Sequence, residues 1–168
     1  MQDIPHLIVD GYNYILRRQT IPSDDDDALW RAREELIRKM IAYRGNKKIA
    51  VTIVFDGQDI RQMGNVSRPV GIRVLFSRAP QKADPLIIRL VQAASHPKSI
   101  TVVTSDRSLA SSLKTYGCRI WTSEELEQKF AKKERLEEYR NKYGTSMSKK
   151  EIDDWMEIFG QKKKTDRD

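Results

Sequence analysis

The chain has 168 residues, of which 39% are hydrophobic and 33% are charged. At roughly 150 residues per domain, this length predicts one main domain with a short appendage, large enough to bury a core without disulfides. A single cysteine, Cys118, excludes internal disulfides and multi-cysteine zinc sites, and two widely separated histidines disfavour Cys–His or Ser–His catalysis. No apolar run reaches the 18 residues of a membrane span, and we expect a cytoplasmic protein without membrane contact.

The net charge of +7 is unevenly distributed along the chain. The stretch Arg31–Lys82 holds 12 basic residues and only 4 acidic ones. A basic region of this kind suits a polyanion such as nucleic acid. A solvated surface rich in lysine and arginine explains the same composition equally well.

Hydrophobic patterning predicts the elements of the first half of the chain. We expect a strand at Leu7–Asp10, a loop at Gly11–Ser23, a helix at Asp24–Tyr43, a strand at Ile49–Phe55 and a long loop at Gly57–Gly71. The helix predicted at Asp24–Tyr43 begins with four acids, which the positive end of a helix dipole favours. The run of β-branched residues in Ile49–Phe55 is typical of a central strand that is covered on both faces.

The second half continues to alternate strands and helices. We expect a strand at Ile72–Phe76, a helix at Ala83–Ser95, a strand at Ile100–Thr104, a helix at Arg107–Tyr116 and a strand at Arg119–Trp121. This alternation predicts an α/β sandwich with a mostly parallel sheet. In such sheets, ligands bind beyond the carboxyl ends of the strands.

The remaining residues predict a helical C-terminal extension. Thr122–Glu125 and Ser148–Glu151 both fit the capping box, in which a hydroxyl and a carboxylate satisfy each other's backbone amides. Apolar content falls after about residue 130, while charges become dense. We therefore expect a main domain at residues 1–130 and a charged helical extension with a frayed tail at 131–168.

Acidic residues follow three of the predicted strands. Asp10 ends a strand, Asp56 directly follows one, Asp106 follows one after Ser105, and Asp84 begins a helix. If the strands are parallel neighbours, these carboxylates converge at one edge, where oxygen ligands favour Mg²⁺ or Mn²⁺. The alternative is structural, because aspartate at a strand end often starts a turn or caps a helix. Asp84 followed by Pro85 also fits an N-cap with proline at the first helical position.

Motifs for other chemistries are missing from the sequence. It holds no glycine-rich dinucleotide fingerprint and no phosphate-binding loop ending in Gly-Lys-Ser or Gly-Lys-Thr. We therefore expect no small-molecule cofactor.

Four motifs in order resemble the NYN domain family, relatives of the PIN-domain nucleases. They are Leu7–Asn13 (LIVDGYN), Ile53–Gly57 (IVFDG), Lys82–Asp84 (KAD) and Val102–Asp106 (VVTSD). They are most similar to the YacP-like branch, which includes a ribosome-associated endoribonuclease. The resemblance implies a three-layer α/β/α PIN-like fold and a metal-dependent endoribonuclease whose substrate is RNA, with mRNA on the ribosome as an expected context.

The resemblance also implies roles for individual residues. Three carboxylates would bind Mg²⁺ or Mn²⁺, namely Asp10, Asp84 and Asp106, and Asp56 would lie nearby. Asn13 would contact the metal or its water, and Ser105 would position neighbouring groups.

Basic residues that flank the expected crevice in sequence are candidates for contacts to the RNA backbone. They are Arg68, Arg73, Arg78, Lys82 and Arg107. Two alternatives stay open: an NYN module that binds RNA or the ribosome without cutting, and a DNA-directed 5′-nuclease, because Val54–Gly57 also resembles the flap-nuclease family.

Overall fold

The computed structural model describes residues 4–57, 71–78, 82–144, 148 and 150–151. Five strands lie within this part of the chain: β1 (His6–Asp10), β2 (Ala50–Phe55), β3 (Ile72–Phe76), β4 (Ile100–Val103) and β5 (Arg119–Trp121). It also holds five α-helices: α1 (Gly11–Arg18), α2 (Asp26–Arg44), α3 (Ala83–Gln92), α4 (Arg107–Lys114) and α5 (Ser123–Tyr143). One turn of 3₁₀-helix, Pro97–Ser99, leads into β4.

The five strands form one sheet in the order β3-β2-β1-β4-β5, and every pairing is parallel. β1 lies at the centre, with Val9 opposite Ile53 of β2 on one side and opposite Val103 of β4 on the other. All five strands therefore end at the same side of the sheet, which we call the carboxyl edge. The direction of the strand order reverses between β1 and β4, and ligands of open α/β sheets bind at such a switch point.

Helices cover both faces of the sheet. Ile8, Val54 and Val102 point to one face and pack in a buried cluster with apolar residues of α3 and α4. Because side chains alternate along a strand, the neighbouring residues point to the other face. There α1 and α2 contribute buried side chains, among them Ile15 and Leu36. The structure is thus the three-layer α/β/α arrangement that the sequence predicts.

The predicted strands and most of the predicted helices are confirmed, with ends shifted by no more than three residues. The loop predicted at Gly11–Ser23 is wrong, because its first part forms α1. Glycine and asparagine are weak helix formers. Burial of Tyr14 and Ile15 on one side of the new helix outweighs this low propensity.

Both predicted capping boxes are formed. The Thr122 N–H donates to Glu125 Oε2 at 2.6 Å, and the Glu125 N–H donates to Thr122 Oγ1 at 3.2 Å. Ser148 and Glu151 make the same pair of bonds at 2.7 and 3.3 Å. Residues 152–168 lie outside the described residues.

The chain divides into two compact units, Met1–Leu126 and Glu127–Asp168. The second unit contains most of α5, where Lys133 pairs with Glu137 at 3.3 Å. A functional boundary at residue 130 stays a prediction. Within the described residues, none of the helices combines the length and the hydropathy needed to cross a membrane.

Gly11 lets α1 begin directly against the sheet. A Cβ atom at this position would overlap the ring of Phe55, which is fully buried. The chain therefore turns from β1 into α1 without a linker only because residue 11 has no side chain.

We expect Gly11→Ala to lower the free energy of unfolding by about 1–3 kcal/mol, because it overpacks a rigid part of the core. In an ordinary helix the same change would be stabilising. Urea denaturation of Gly11→Ala, Phe55→Leu and the double variant measures the effect. The cost of Gly11→Ala should shrink in the Phe55→Leu background, and strictly additive costs would contradict the steric explanation.

Candidate active site at the carboxyl edge

Asp10 is the buried acid at the centre of the carboxyl edge. It ends β1 with 6% of its surface exposed, and the Thr104 hydroxyl donates to its Oδ2 at 3.3 Å. Burial, together with the negative charges of Asp84 and Asp56, raises the pKa of Asp10 to about 7. The Thr104 hydroxyl and the backbone amide of Asn13 oppose this rise and are outweighed. Asp10 is therefore a carboxyl group that the fold holds at an energetic cost.

Asp56 anchors the start of α3. Its Oδ1 accepts hydrogen bonds from the backbone N–H of Ala83 and, at 3.4 Å, from the hydroxyl of Ser77. Lys82, the residue in the N-cap position of α3, makes no side-chain cap bond. The carboxylate of Asp56, which follows β2, thus accepts a hydrogen bond from a free backbone amide at the start of α3, as the side chain of an N-cap residue does in other helices.

Asp84 lies inside the first turn of α3, not at its N-cap. The alternative of an aspartate cap followed by Pro85 is therefore wrong, since the helix begins at Ala83. Burial, followed by the charges of Asp106 and Asp56, raises the pKa of Asp84, and Lys82 opposes the rise. Asp84 is therefore close enough to these acids to belong to the same group as Asp10.

Asp106 serves as a helix cap and as a member of this group. Its Oδ1 accepts from the Leu109 N–H at 2.8 Å and so caps α4. Its own N–H donates to Thr104 Oγ1 at 3.2 Å. The hydroxyl of Thr104 therefore connects the backbone of Asp106 to the carboxylate of Asp10.

Asn13 and Ser105 fix the loops that carry the acids. The side-chain oxygen of Asn13 accepts from the Ser105 N–H at 2.8 Å, which ties α1 to the segment after β4. Ser105 Oγ lies 3.3 Å from Ser123 Oγ and accepts from the Ser123 N–H at 3.3 Å. Both residues lie at the site, and a contact of Asn13 with a metal stays a prediction.

Three of the five predicted RNA-contacting residues lie at the carboxyl edge. Arg78 follows the end of β3, Lys82 precedes α3 and Arg107 opens α4 directly after Asp106. All three are exposed.

One of the other two lies away from this edge. Arg73 is exposed near the start of β3, opposite Thr52, and its charge acts on His6 at the amino ends of the strands. Arg68 lies outside the described residues.

The donor set at the edge fits a hard divalent cation. Asp10, Asp84 and Asp106 supply only carboxylate oxygens, the ligands that Mg²⁺ and Mn²⁺ prefer. A cation would relieve the repulsion that adds to burial in raising the pKa of Asp10 and Asp84. In the described part of the chain, no three acidic, histidine or cysteine side chains form a ready coordination shell. Mg²⁺ needs only one or two protein carboxylates because it keeps several waters.

The sequence reasoning missed the buried hydroxyl groups that hold the acids. Thr104, Ser77 and Ser123 are between 0 and 5% exposed, and each is hydrogen-bonded to a site residue or to its neighbour. Two of them directly follow strands, β4 and β3. A hydroxyl residue between an apolar strand and an aspartate is the signal that could have found Thr104.

Comparison with known proteins supports the same family as the sequence motifs. The family model described as the YacP-like NYN domain matches residues 7–164. The YacP protein of Bacillus subtilis is 31% identical over 101 residues, which cover 60% of this chain but only 59% of that relative.

Solved structures show the same fold. The crystal structure of Rae1 (YacP) from Bacillus subtilis is 27% identical, with a TM-score of 0.66, and the match covers 96% of this chain and 90% of that one. The crystal structure of a point mutant of the same Rae1 protein matches with a TM-score of 0.67 at the same identity, covering 89% and 90% of the two chains.

The raised pKa of Asp10 predicts a pH-dependent stability. The folded protein keeps the Asp10 proton up to about pH 7, whereas the unfolded chain loses it near pH 4. The stabilisation that the folded protein gains from this retained proton is therefore complete below pH 4 and is lost as the pH rises through 7. In metal-free buffer, the free energy of unfolding of Asp10→Asn, relative to that of the wild type, should rise by up to about 4 kcal/mol between pH 4 and pH 8.

Urea denaturation of both proteins at a series of pH values measures this difference. A difference that does not change across the series would show that the Asp10 carboxylate is not held in a repulsive environment.

Proposed function

The chain is a member of the YacP-like NYN domain family, and from this premise and the geometry of the carboxyl edge we propose that it is a divalent-metal-dependent endoribonuclease. Family membership supports a nuclease-like, RNA-related function in general. The metal, the internal cleavage of RNA and its setting in the cytoplasm are parts of the proposal.

One observation supports the proposal most strongly: Asp10 is buried next to Asp84 and Asp56, although these carboxyl groups repel one another when they are ionised. Acids that only capped helices would not need to be grouped, because mutual repulsion makes such grouping unfavourable. Strongly perturbed carboxyl groups at a switch point are instead typical of functional sites.

In this proposal, Asp10, Asp84 and Asp106 hold the cation and Asp56 positions α3, and with it Asp84. Mg²⁺ or Mn²⁺ held by these carboxylates would supply an activated water and would offset charge on the phosphoryl oxygens. Thr104 orients Asp10 through its hydroxyl and anchors the Asp106 backbone, so the two carboxylates keep a fixed separation. Water attack forms a new oxygen–phosphorus bond and breaks the bond to the 3′ oxygen, which takes up a proton. The products carry 5′-phosphate and 3′-hydroxyl ends.

Basic side chains around the acids allow a polyanion to approach them. Arg78, Lys82 and Arg107 are exposed at the same edge as the acidic group. We propose that they contact backbone phosphates on either side of the cleaved bond. The branch of the family that these motifs resemble includes a ribosome-associated endoribonuclease, and we accordingly propose mRNA, on or off the ribosome, as the substrate.

Asp10→Asn and Asp84→Asn should each abolish cleavage while the protein stays folded. We expect the activity to fall by well over the roughly 10–100-fold typical of losing an outer partner of a metal site. The assay is cleavage of an end-labelled RNA pool with Mg²⁺ or Mn²⁺, repeated with a chelator. Thr104→Val serves as the comparison variant, and its loss should be nearer to that 10–100-fold range.

The same assay separates the alternatives. Wild-type protein that binds RNA but leaves it intact, also on translating ribosomes, would indicate a non-catalytic module. Cleavage of single-stranded or flapped DNA in preference to RNA would indicate a 5′-nuclease.

Lys82→Ala should weaken RNA binding and flatten its dependence on salt, because each phosphate contact to a single strand adds about 0.7 to the slope. Arg73→Ala is the matched control, since Arg73 is an exposed cation of β3 at the opposite end of the sheet. Fluorescence anisotropy in a chelator measures both. A larger effect of Arg73→Ala than of Lys82→Ala would place the RNA on the amino side of the sheet.

A further inference from the structure

Arg33 is a buried cation that the acidic site does not explain. It lies in the second turn of α2 with only 6% of its surface exposed. Its guanidinium group sits over the ring of Phe76, 6.0 Å from the ring centroid. Within the described residues, the guanidinium makes no ion pair and no hydrogen bond.

The tip of Arg33 keeps a narrow opening to solvent. In the described part of the chain, every side-chain nitrogen or oxygen that is fully closed off from solvent has a hydrogen-bond partner. Since the guanidinium nitrogens have no such partner, they are not fully closed off. The stem of the side chain is therefore buried, and its charged end meets solvent.

The position of Arg33 relates it to the acidic site. Phe76 ends β3 and stacks on Phe55 at 5.5 Å between ring centroids, and Phe55 in turn lies 5.1 Å from the ring of Tyr12. Phe55 directly precedes Asp56. Arg33 is therefore next to the carboxyl edge, on the face covered by α1 and α2, whereas α3 and α4 approach the acids from the other face.

An arginine in this setting calls for an anion. A guanidinium does not lose its proton in proteins, so burial cannot neutralise it as it neutralises a lysine or a carboxyl group. A buried charge without a partner is unfavourable. Its planar fork matches two oxygens of one phosphate, and the face of the Phe76 ring attracts its positive charge.

We infer that Arg33 binds a phosphate group of the RNA backbone beside the acidic site. The inference rests on the proposed function in one respect, that RNA is the ligand of the carboxyl edge. In this arrangement the RNA strand crosses the ends of β1, β2 and β3, with the acids on one side of the RNA and Arg33 on the other.

The test is the binding of a short single-stranded RNA of mixed sequence to the full chain, in a chelator so that nothing is cut. Anisotropy titrations at about 50 and 200 mM salt give the affinity and its salt dependence. Arg33→Gln should bind about tenfold more weakly, with a salt slope reduced by about 0.7. Its melting temperature should equal or exceed that of the wild type, because an unpaired buried charge has been removed.

Two further variants sharpen the result. Arg31→Gln removes an exposed cation from the same helix and should leave affinity and slope unchanged. Arg33→Lys keeps the charge but loses the fork, so its slope should match the wild type while its affinity lies between wild type and Arg33→Gln. If Arg33→Gln fails to fold, Arg33→Lys decides the question by its affinity.

An Arg33→Gln variant that binds RNA like the wild type overturns the inference, and a lower melting temperature with unchanged binding would assign Arg33 to the internal stability of the chain. Neither result would touch cleavage by the wild type. Conversely, a wild type that never cuts RNA contradicts the proposed function, while binding that depends on Arg33 would still support this inference.

Discussion

Repulsion among carboxylates at one edge of a parallel sheet is the constraint around which the molecule is built. Asp10 is buried beside two other acids, and among the described residues no cation lowers its pKa, while Lys82 offsets only part of the rise at Asp84. What holds them instead is a set of backbone amides and hydroxyls. The Thr104 hydroxyl bonds to Asp10, the Ala83 amide bonds to Asp56, and the Leu109 amide bonds to Asp106.

These bonds make the helices part of the site and not merely its cover. α1, α3 and α4 all begin at the carboxyl edge, so their positive dipole ends point at the acids. One carboxylate oxygen of Asp106 accepts a hydrogen bond from the first turn of α4, and one of Asp56 accepts a hydrogen bond from the first residue of α3. The structural and the functional interpretations of a strand-end aspartate are therefore not exclusive, since one side chain satisfies both.

The sequence allowed the sheet and most helices to be predicted because their apolar patterns are strong and local. It did not allow α1 to be predicted, since its stability comes from burial of Tyr14 and Ile15 against other elements. The acids of the site were recognisable as residues that follow strands. The position of Arg73 was not, because proximity in sequence to the crevice says nothing about which end of a strand a side chain occupies. In the sequence, Arg33 is one of the 12 basic residues of the stretch Arg31–Lys82, and only the packing of α2 on Phe76 distinguishes it from the others.

The central place of β1 has a consequence for how the protein is made. β1 pairs with β4, and Thr104 meets Asp10 across 94 residues of chain, so these contacts are among the most non-local in the molecule. A growing polypeptide that has not yet delivered β4 lacks both the hydroxyl that orients Asp10 and the acid that follows it. Parallel pairings over such separations also form slowly, since loop closure precedes any stabilising contact. The time at which the acidic site first exists is thus set by synthesis and folding of the second half of the chain.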